Sequence, residues 1–124
     1  MNQGIPQSTP IVWMGSTKKD LKKCPPLVQQ VIGFALYQAQ LGYRHKDAKP
    51  LSGFNGASIL EIVDRYDSNT YRAVYTVKFA SAIYVLHVFQ KKSKQGIKTP
   101  KQDIELIRKR LQEAELHYKE SIGR

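Results

Sequence analysis

The chain has 124 residues, 41% of them apolar, and its 20 lysines and arginines outnumber 10 acidic residues to give a net charge of +10. This length predicts a single domain spanning residues 1–124, and the composition excludes a disordered chain. A domain this basic attracts polyanions, so RNA, DNA or an acidic protein is an expected partner, although the lysines could also serve only solubility.

The first elements are predicted to be a short strand and two helices. The stretch PIVWM at 10–14 is rich in β-branched and aromatic residues, which favour strands. Pro25-Pro26 divides the next segment into a short helix at 17–23 and a longer one that ends at Gly42, because proline fits the first turn of a helix but not its interior. The apolar residues of the longer helix have helical spacing and are expected to share one buried face: Leu27, Val28, Val31, Ile32, Ala35, Leu36 and Ala39.

Residues 43–56 are predicted to be an irregular connection, because they contain a proline, two glycines and an asparagine without a regular period. Three strand-like runs follow at 57–63, 70–79 and 82–91, with turns expected at 64–69 and 80–81. Such short spacers imply antiparallel neighbours. The third run is almost continuously apolar, which is typical of a central strand covered on both faces.

The last predicted element is a helix that begins near Thr99. Thr99 is a suitable N-cap, Pro100 fits the first helical position and Gln102 would complete a capping box. The helix carries one apolar stripe, formed by Ile104, Ile107, Leu111, Ala114 and Tyr118. The expected fold class is α+β, with N-terminal helices and a C-terminal helix packed on a small, mainly antiparallel sheet.

Signals of membrane or secreted proteins are not found in the sequence. No apolar run approaches the roughly 20 residues that span a bilayer, and the opening MNQGIPQSTP has neither the basic nor the long apolar segment of a secretory signal. Cys24 is the single cysteine, which excludes an internal disulfide and suits a reducing compartment. We therefore expect a cytoplasmic protein with no membrane partner.

The candidate functional residues are cations. One cysteine and three scattered histidines do not make a zinc site, and no Gly-rich phosphate loop is present, so no metal or small-molecule cofactor is expected. The cations associated with strands are Arg65, Arg72, Lys91, Lys92 and Lys94. Arg65 could instead form a surface ion pair with Asp64 or Asp67. Arg72 lies inside a strand, where it could snorkel, pair with Glu61 or face a cleft.

For the other reactive side chains a structural role is expected. His87 lies among aliphatic neighbours, as core histidines do. Tyr118 belongs to the apolar stripe of the last helix, so His117 and Tyr118 are not interpreted as an acid–base pair. Cys24 is expected to be a packed thiol rather than a nucleophile. Aromatic packing in the core likewise explains Tyr71, Tyr75 and Tyr84.

The order of several short motifs resembles a known family. KPLSGFNGASILEI is followed by YRAVY, then by YVLHVFQKKS and KTPKQDIELIRKRL, and WMGSTKKDLKKCPP and FALYQAQLG precede them. Together these segments are similar to the phage-derived branch of the RelE/HigB toxin superfamily. The resemblance implies a RelE-like, microbial-RNase fold and a ribosome-dependent endoribonuclease that cleaves messenger RNA in the ribosomal A site without a metal. It also implies a cognate antitoxin of the helix-turn-helix type, encoded alongside, that holds the toxin inactive.

The resemblance assigns roles to individual residues. Such cleavage uses the ribose 2′-hydroxyl to attack the adjacent phosphate, and cations stabilise the charge that develops. Arg72 matches the arginine of the family's strand motif and is expected to clamp phosphate, while Lys91 and Lys92 match the basic pair at the end of the next strand. The lysines expected to bind ribosomal or messenger RNA are Lys78, Lys94 and Lys98.

One position departs from the family pattern. Relatives commonly read Glu-Leu-Arg on the first strand of the meander, where this chain has Glu61-Ile62-Val63, and the nearest arginine is Arg65. An offset of two residues keeps the same strand face, provided that the strand continues through Asp64. Arg65 is then a fourth catalytic cation. If the strand ends earlier, we expect cleavage to be weak, altered or lost.

Two alternatives to the endoribonuclease remain open, because fold alone does not determine function. A non-catalytic protein on the same scaffold would bind RNA or an antitoxin through its basic residues without cutting. A ParE-like protein of the same superfamily would instead inhibit a topoisomerase through an exposed helix surface. For the antitoxin itself, we expect an acidic or amphipathic segment laid across the basic residues.

Overall fold

The computed structural model describes residues 8–56, 58–91 and 99–122, with Ile122 described by its backbone alone. Within these residues the elements are β1 (Ile11–Trp13), α1 (Thr17–Lys22), α2 (Pro26–Gln40), β2 (Ala48–Pro50), β3 (Ile59–Tyr66), β4 (Asn69–Thr76), β5 (Ile83–Lys91), α3 (Lys101–His117) and a π-helical turn (Tyr118–Ile122). The strands form one sheet in the order β1-β5-β4-β3-β2. β1 runs parallel to β5, and the other neighbours are antiparallel. The predicted α+β class is confirmed.

One face of the sheet is covered by α2. The helix turns Val28, Ile32 and Leu36 towards the strands, and none of these side chains is more than 2% exposed. They pack on apolar residues of the three central strands: Leu60, Ile62, Ala73, Tyr75, Ile83 and Val85. Leu27 was predicted to share this buried face, but it is 55% exposed. The prediction was wrong because Leu27 lies about 100° around the helix axis from Val28, beyond the edge of the buried arc.

The opposite face is covered only in part, by α3. Ile107 and Ala114 are fully buried there against Ile59, Val74 and Leu86. The remaining members of the predicted apolar stripe also pack against this cluster: Ile104, Leu111 and Tyr118. The stripe is thus confirmed. The end of this face beyond Val74 carries the candidate site, where Arg72 is buried, Lys91 is half-buried and Arg65 is exposed.

β3 and β4 are joined by a tight turn that lengthens both strands. Asp67 and Ser68 have φ angles of +51° and +68°, as in the type I′ turns of two-residue hairpins. Tyr66 therefore pairs directly with Asn69. The turn predicted at 64–69 was too long, and β3 continues through Asp64 to Tyr66.

A β-bulge between β4 and β5 changes which side chains face α3. Val74 pairs with His87 and Tyr75 pairs with Val85, which leaves Leu86 as the extra residue. The Leu86 carbonyl accepts a hydrogen bond from Arg110 Nη1 at 3.0 Å. The extra residue places His87 on the same face as Leu86, since an inserted residue shifts the alternation of a strand.

Two further local predictions were wrong. Residues 48–50, predicted to be irregular, form β2 and pair with β3; Pro50 is tolerated because β2 is an edge strand. Thr99 was predicted to cap α3, but Pro100 occupies the N-cap position and no side chain caps the helix. The Thr99 hydroxyl donates instead to Glu61 Oε2 at 2.7 Å, a charged acceptor that makes a stronger hydrogen bond than a neutral group.

Candidate active site

Three strands bring basic side chains together on the sheet face that carries α3, at the end beyond Val74. Thr70 of β4 pairs with Arg65 of β3 on one side and with Lys91 of β5 on the other. Arg72 lies two residues along β4 from Thr70, so it points to the same face. Arg65, Arg72 and Lys91 therefore occupy adjacent rows on one face of the sheet.

The edge strand adds a fourth cation to this face. Lys49 of β2 pairs with Glu61 of β3, and Glu61 pairs in turn with Val74 of β4. Directly paired residues share a face, and Val74 lies two residues beyond Arg72. The four cations, here called the basic face, are Lys49, Arg65, Arg72 and Lys91.

Arg72 is the most deeply placed of these cations. Its side chain is 3% exposed, and Nη1 lies 3.0 Å from Glu61 Oε2, whose side chain is 13% exposed. Nη1 also lies 3.5 Å from Thr99 Oγ1, at the outer limit of a hydrogen bond. Of the interpretations that the sequence left open, the structure shows the pair with Glu61. This ion pair joins β4 to β3, and Thr99, which precedes the N-cap Pro100 of α3, donates to the same carboxylate.

Arg65 satisfies the structural condition set by the family pattern. Because β3 continues to Tyr66, Arg65 lies within the strand and on the face of Glu61 and Arg72. Its side chain is exposed. The two-residue offset from the usual Glu-Leu-Arg motif therefore preserves the position of a cation on this face, about 6.6 Å further along the strand.

The predicted lysines are only partly described. Lys91 is half-buried at the end of β5, whereas Lys92, Lys94 and Lys98 lie outside the described residues. Lys78 lies past the C-terminal end of β4, away from the β3–β4 turn beside which Arg65 and Lys91 lie. Its Nζ forms an ion pair with Glu115 Oε2 at 2.6 Å. The structure does not bring Lys78 to the basic face.

Two adjoining depressions open beside the basic face, with volumes of roughly 370 Å³ and 430 Å³. Lys49 and Glu61 line both of them; Arg65 lines the first and Thr99 the second. Sequence reasoning missed Lys49, because the composition of residues 43–56 predicts an irregular connection rather than a strand. The available signal was Pro50, since proline inside a strand-like segment is typical of a sheet edge.

His87 and Phe89 lie next to the basic face at the start of α3. His87 Nε2 is 2.7 Å from Asp103 Oδ1, and the His87 ring stacks on Phe89 with 4.3 Å between centroids. Burial lowers the pKa of His87 below its usual value, against the opposing effect of the Asp103 carboxylate. The neutral ring then carries its proton on Nε2 and donates it to Asp103, which supports the expected structural role.

The comparison with protein families agrees with the motifs. The family model described as "Phage derived protein Gp49-like (DUF891)" matches residues 19–112, from α1 into α3. The chain belongs to this family of RelE-type toxins. The resemblance to the phage-derived branch is thereby confirmed. Among solved structures, the chain is similar to a chain of the RelBE2 toxin–antitoxin complex from Mycobacterium tuberculosis, with 21% identity, a TM-score of 0.43, and coverage of 69% of this chain and 94% of that one. No curated protein matches the chain.

Elsewhere in this Gp49-like chain, the thiol of Cys24 is placed as a structural rather than a reactive group. Cys24 Sγ lies 3.5 Å from the carbonyl oxygen of Asp20, and burial, reinforced by the Asp20 charge, raises the pKa of the thiol. A raised pKa keeps the thiol protonated, as expected for a packed cysteine. Within the described residues, no group of three or more His, Cys, Asp or Glu side chains could hold a metal ion. The helices of this same part of the chain are too short or too polar to cross a membrane.

Proposed function

We propose that this Gp49-like protein is the toxin of a toxin–antitoxin pair and acts as a ribosome-dependent endoribonuclease that cuts messenger RNA in the A site without a metal. Membership of the Gp49-like family supports the assignment of this chain as a toxin. The observation that carries the reaction is the meeting of Arg65, Arg72 and Lys91 on one sheet face. When a ribose 2′-hydroxyl attacks the adjacent phosphate, negative charge accumulates on the phosphoryl oxygens, and preorganised cations stabilise it.

The exposure of each cation determines its proposed role. Arg65 is exposed and Lys91 half-buried, so these two side chains reach a phosphate directly. Removing one preorganised donor of this kind typically slows a reaction by about 10²- to 10³-fold. Arg72, already in contact with the Glu61 carboxylate, is proposed as a positioning residue rather than as the phosphate clamp expected from the resemblance. Lys92 stays a predicted catalytic cation.

The ribosome and messenger RNA are the proposed partners of the basic face. Lys49 extends the face towards the sheet edge, and the whole chain has a net charge of +10. Each phosphate that a cation neutralises releases a counterion, so binding should weaken steeply with salt. Lys94 and Lys98 are further RNA-binding residues in this proposal. The antitoxin encoded alongside the chain is the proposed protein partner.

The proposal is tested by inducing the chain in bacterial cells and mapping messenger-RNA 5′ ends soon afterwards. The wild type should arrest growth and create new 5′ ends within codons. Arg65→Ala should lose both effects, while Lys109→Ala, which removes an exposed cation from α3, should retain them. Growth arrest without new 5′ ends, or new ends that persist in Arg65→Ala, would contradict the assignment.

One observation favours a second candidate function, RNA binding without cleavage. The positive charge of Arg72 is matched by the carboxylate of Glu61 at 3.0 Å, which leaves fewer unmatched cations for a transition state. A binding protein of this kind would associate with ribosomes in a salt-dependent manner and would generate no new 5′ ends. The same mapping experiment therefore separates the two functions.

A further inference from the structure

The outer face of α2 carries three large exposed apolar side chains beside the exposed Gln30, and no described helix or strand packs on it. Phe34 meets the His45 ring edge-on, with 5.9 Å between centroids. Leu27, Phe34 and Tyr37 are 55%, 53% and 53% exposed, and they lie opposite the residues that face the sheet. The 15 residues of α2 include no charged side chain, in a chain with a net charge of +10. A solvent-facing helix surface normally carries charges, so this one has the composition of an interface.

Gly33 forms a notch in the same outer face. A Cβ atom built on Gly33 would meet nothing within 4 Å, so contacts inside the described chain do not require glycine there. A helix with glycine at an interior position is less stable than the same helix with alanine there. Packing inside the described chain therefore does not explain a mid-helix glycine beside Phe34 and Tyr37. A helix packing closely on α2 would use such a notch for one of its side chains.

Positive charges stand at both ends of this apolar face. Lys22 and Lys23 are exposed just before α2. After it, Arg44 and Lys46 are exposed beside one exposed carboxylate, Asp47, and Arg44 Nε donates to the Ala48 carbonyl of β2 at 3.1 Å. A second copy of the chain packed on α2, parallel or antiparallel, would bring like charges together at both ends, which opposes association. An amphipathic helix with acidic residues near both ends would complement the apolar centre and the basic ends together.

We propose that the outer face of α2, formed by Leu27, Gly33, Phe34 and Tyr37, is the docking surface for an amphipathic helix of the antitoxin with acidic residues at both ends. This inference rests on the proposed toxin–antitoxin pairing. The 15 residues of α2 span about 22 Å, which is the length of four helical turns. α2 and the basic face lie on opposite sides of the sheet, so this helix anchors the antitoxin without itself covering Arg65 or Lys91.

The experiment measures binding of the purified antitoxin encoded next to this chain. The test variant is Leu27→Gln/Phe34→Gln/Tyr37→Gln. The matched control is Val77→Gln/Leu116→Gln, because Val77 and Leu116 are 39% and 55% exposed and lie away from α2 and its basic ends. We expect Kd to rise at least about 100-fold in the test variant, since buried aromatic and aliphatic anchors dominate interfaces. The control should bind within about threefold of the wild type.

Gly33→Leu provides a second variant that does not depend on loss of folding. It should retain or increase the thermal midpoint, because leucine favours helix and the site is open, yet it should bind the antitoxin at least about tenfold more weakly. Equal antitoxin affinity in wild type, triple variant and Gly33→Leu would overturn the proposal. A dimeric wild type together with a monomeric triple variant would also overturn the proposal, because the outer face of α2 would then mediate self-association.

A growth assay separates this inference from the proposed function. The triple variant should arrest growth as the wild type does, but co-expression of the antitoxin should no longer rescue the cells. Loss of growth arrest in the triple variant alone would overturn the inference, because the α2 face would then serve toxicity itself. A wild-type chain that causes no arrest, yet binds the antitoxin through α2, would refute the proposed function and leave the docking surface supported.

Discussion

The ion pair between Arg72 and Glu61 gives a prediction that separates stability from catalysis. Arg72→Met removes the cation and leaves the Glu61 carboxylate, 13% exposed, with the Thr99 hydroxyl as the hydrogen-bond donor described for it. Removing one partner of a buried ion pair lowers the free energy of unfolding by about 3–5 kcal/mol. Because Glu61 retains some contact with solvent, we expect the lower end, about 3 kcal/mol, which lowers Tm by about 10 °C for a domain of this size.

The double variant Arg72→Met/Glu61→Leu provides the matched comparison. It removes both charges while keeping similar side-chain volumes, and such replacements are commonly neutral or stabilising. We expect its free energy of unfolding to lie within about 1 kcal/mol of the wild type. Urea unfolding of the wild type, both single variants and the double variant then gives a coupling energy of at least about 2 kcal/mol.

The assay has two readouts, unfolding and cleavage. If Arg72 is a positioning residue, the folded double variant should still cut messenger RNA, with a smaller loss than Arg65→Ala. A cost below about 1 kcal/mol for Arg72→Met would refute the reasoning about burial. A stable double variant with cleavage abolished would instead assign Arg72 or Glu61 directly to the chemistry.

Two further predictions concern buried titratable groups. Burial lowers the pKa of His87, so as pH falls below about 6.5 the imidazole is protonated in the unfolded chain before it is protonated in the folded one. The free energy of unfolding then decreases by up to about 1.4 kcal/mol per pH unit. His87→Gln should flatten this decrease in urea unfolding measured from about pH 7.5 to 5, and an unchanged slope would contradict the prediction. Burial raises the pKa of Tyr75 to about 12, against the opposing charge of Arg44, and the hydroxyl has no hydrogen-bond partner among the described residues. Tyr75→Phe should therefore raise the free energy of unfolding by about 1 kcal/mol at pH 7 and reduce the loss of stability above pH 10. A destabilised Tyr75→Phe variant would instead show that the hydroxyl makes a hydrogen bond in the folded protein.

The long elements could be predicted because their periods repeat several times. The buried arc of α2 and the apolar stripe of α3 each extend over several turns, so a single misplaced residue such as Leu27 did not change the assignment. β2 contains three residues, too few for a period to show. The hairpin turn was overestimated because Asp67 and Ser68 adopt positive φ angles that allow a two-residue connection.

The candidate site depended on contacts between residues distant in sequence. The strand pattern identifies Arg72 as a strand cation, and its pair with Glu61 was one of the alternatives. Arg65 entered the site only through the resemblance to the family motif, because the pattern alone predicts a turn at 64–69. Thr99 was misassigned because a capping motif considers only residues close together in the chain. The Thr99 hydroxyl instead donates to the carboxylate of Glu61, 38 residues away. Lys49 could not be included until the pairing of β2 with β3 was known.

The central claim is most directly tested with purified ribosomes and a messenger RNA that carries a single 2′-deoxyribose at the A-site position of cleavage. With the normal ribose, the purified chain should cut the message and leave a 2′,3′-cyclic phosphate, because the 2′-hydroxyl attacks the neighbouring phosphate. The 2′-deoxy message should remain intact. Equal cutting of both messages would contradict attack by the 2′-hydroxyl, and no cutting of either by a folded chain bound to ribosomes would contradict the endoribonuclease itself.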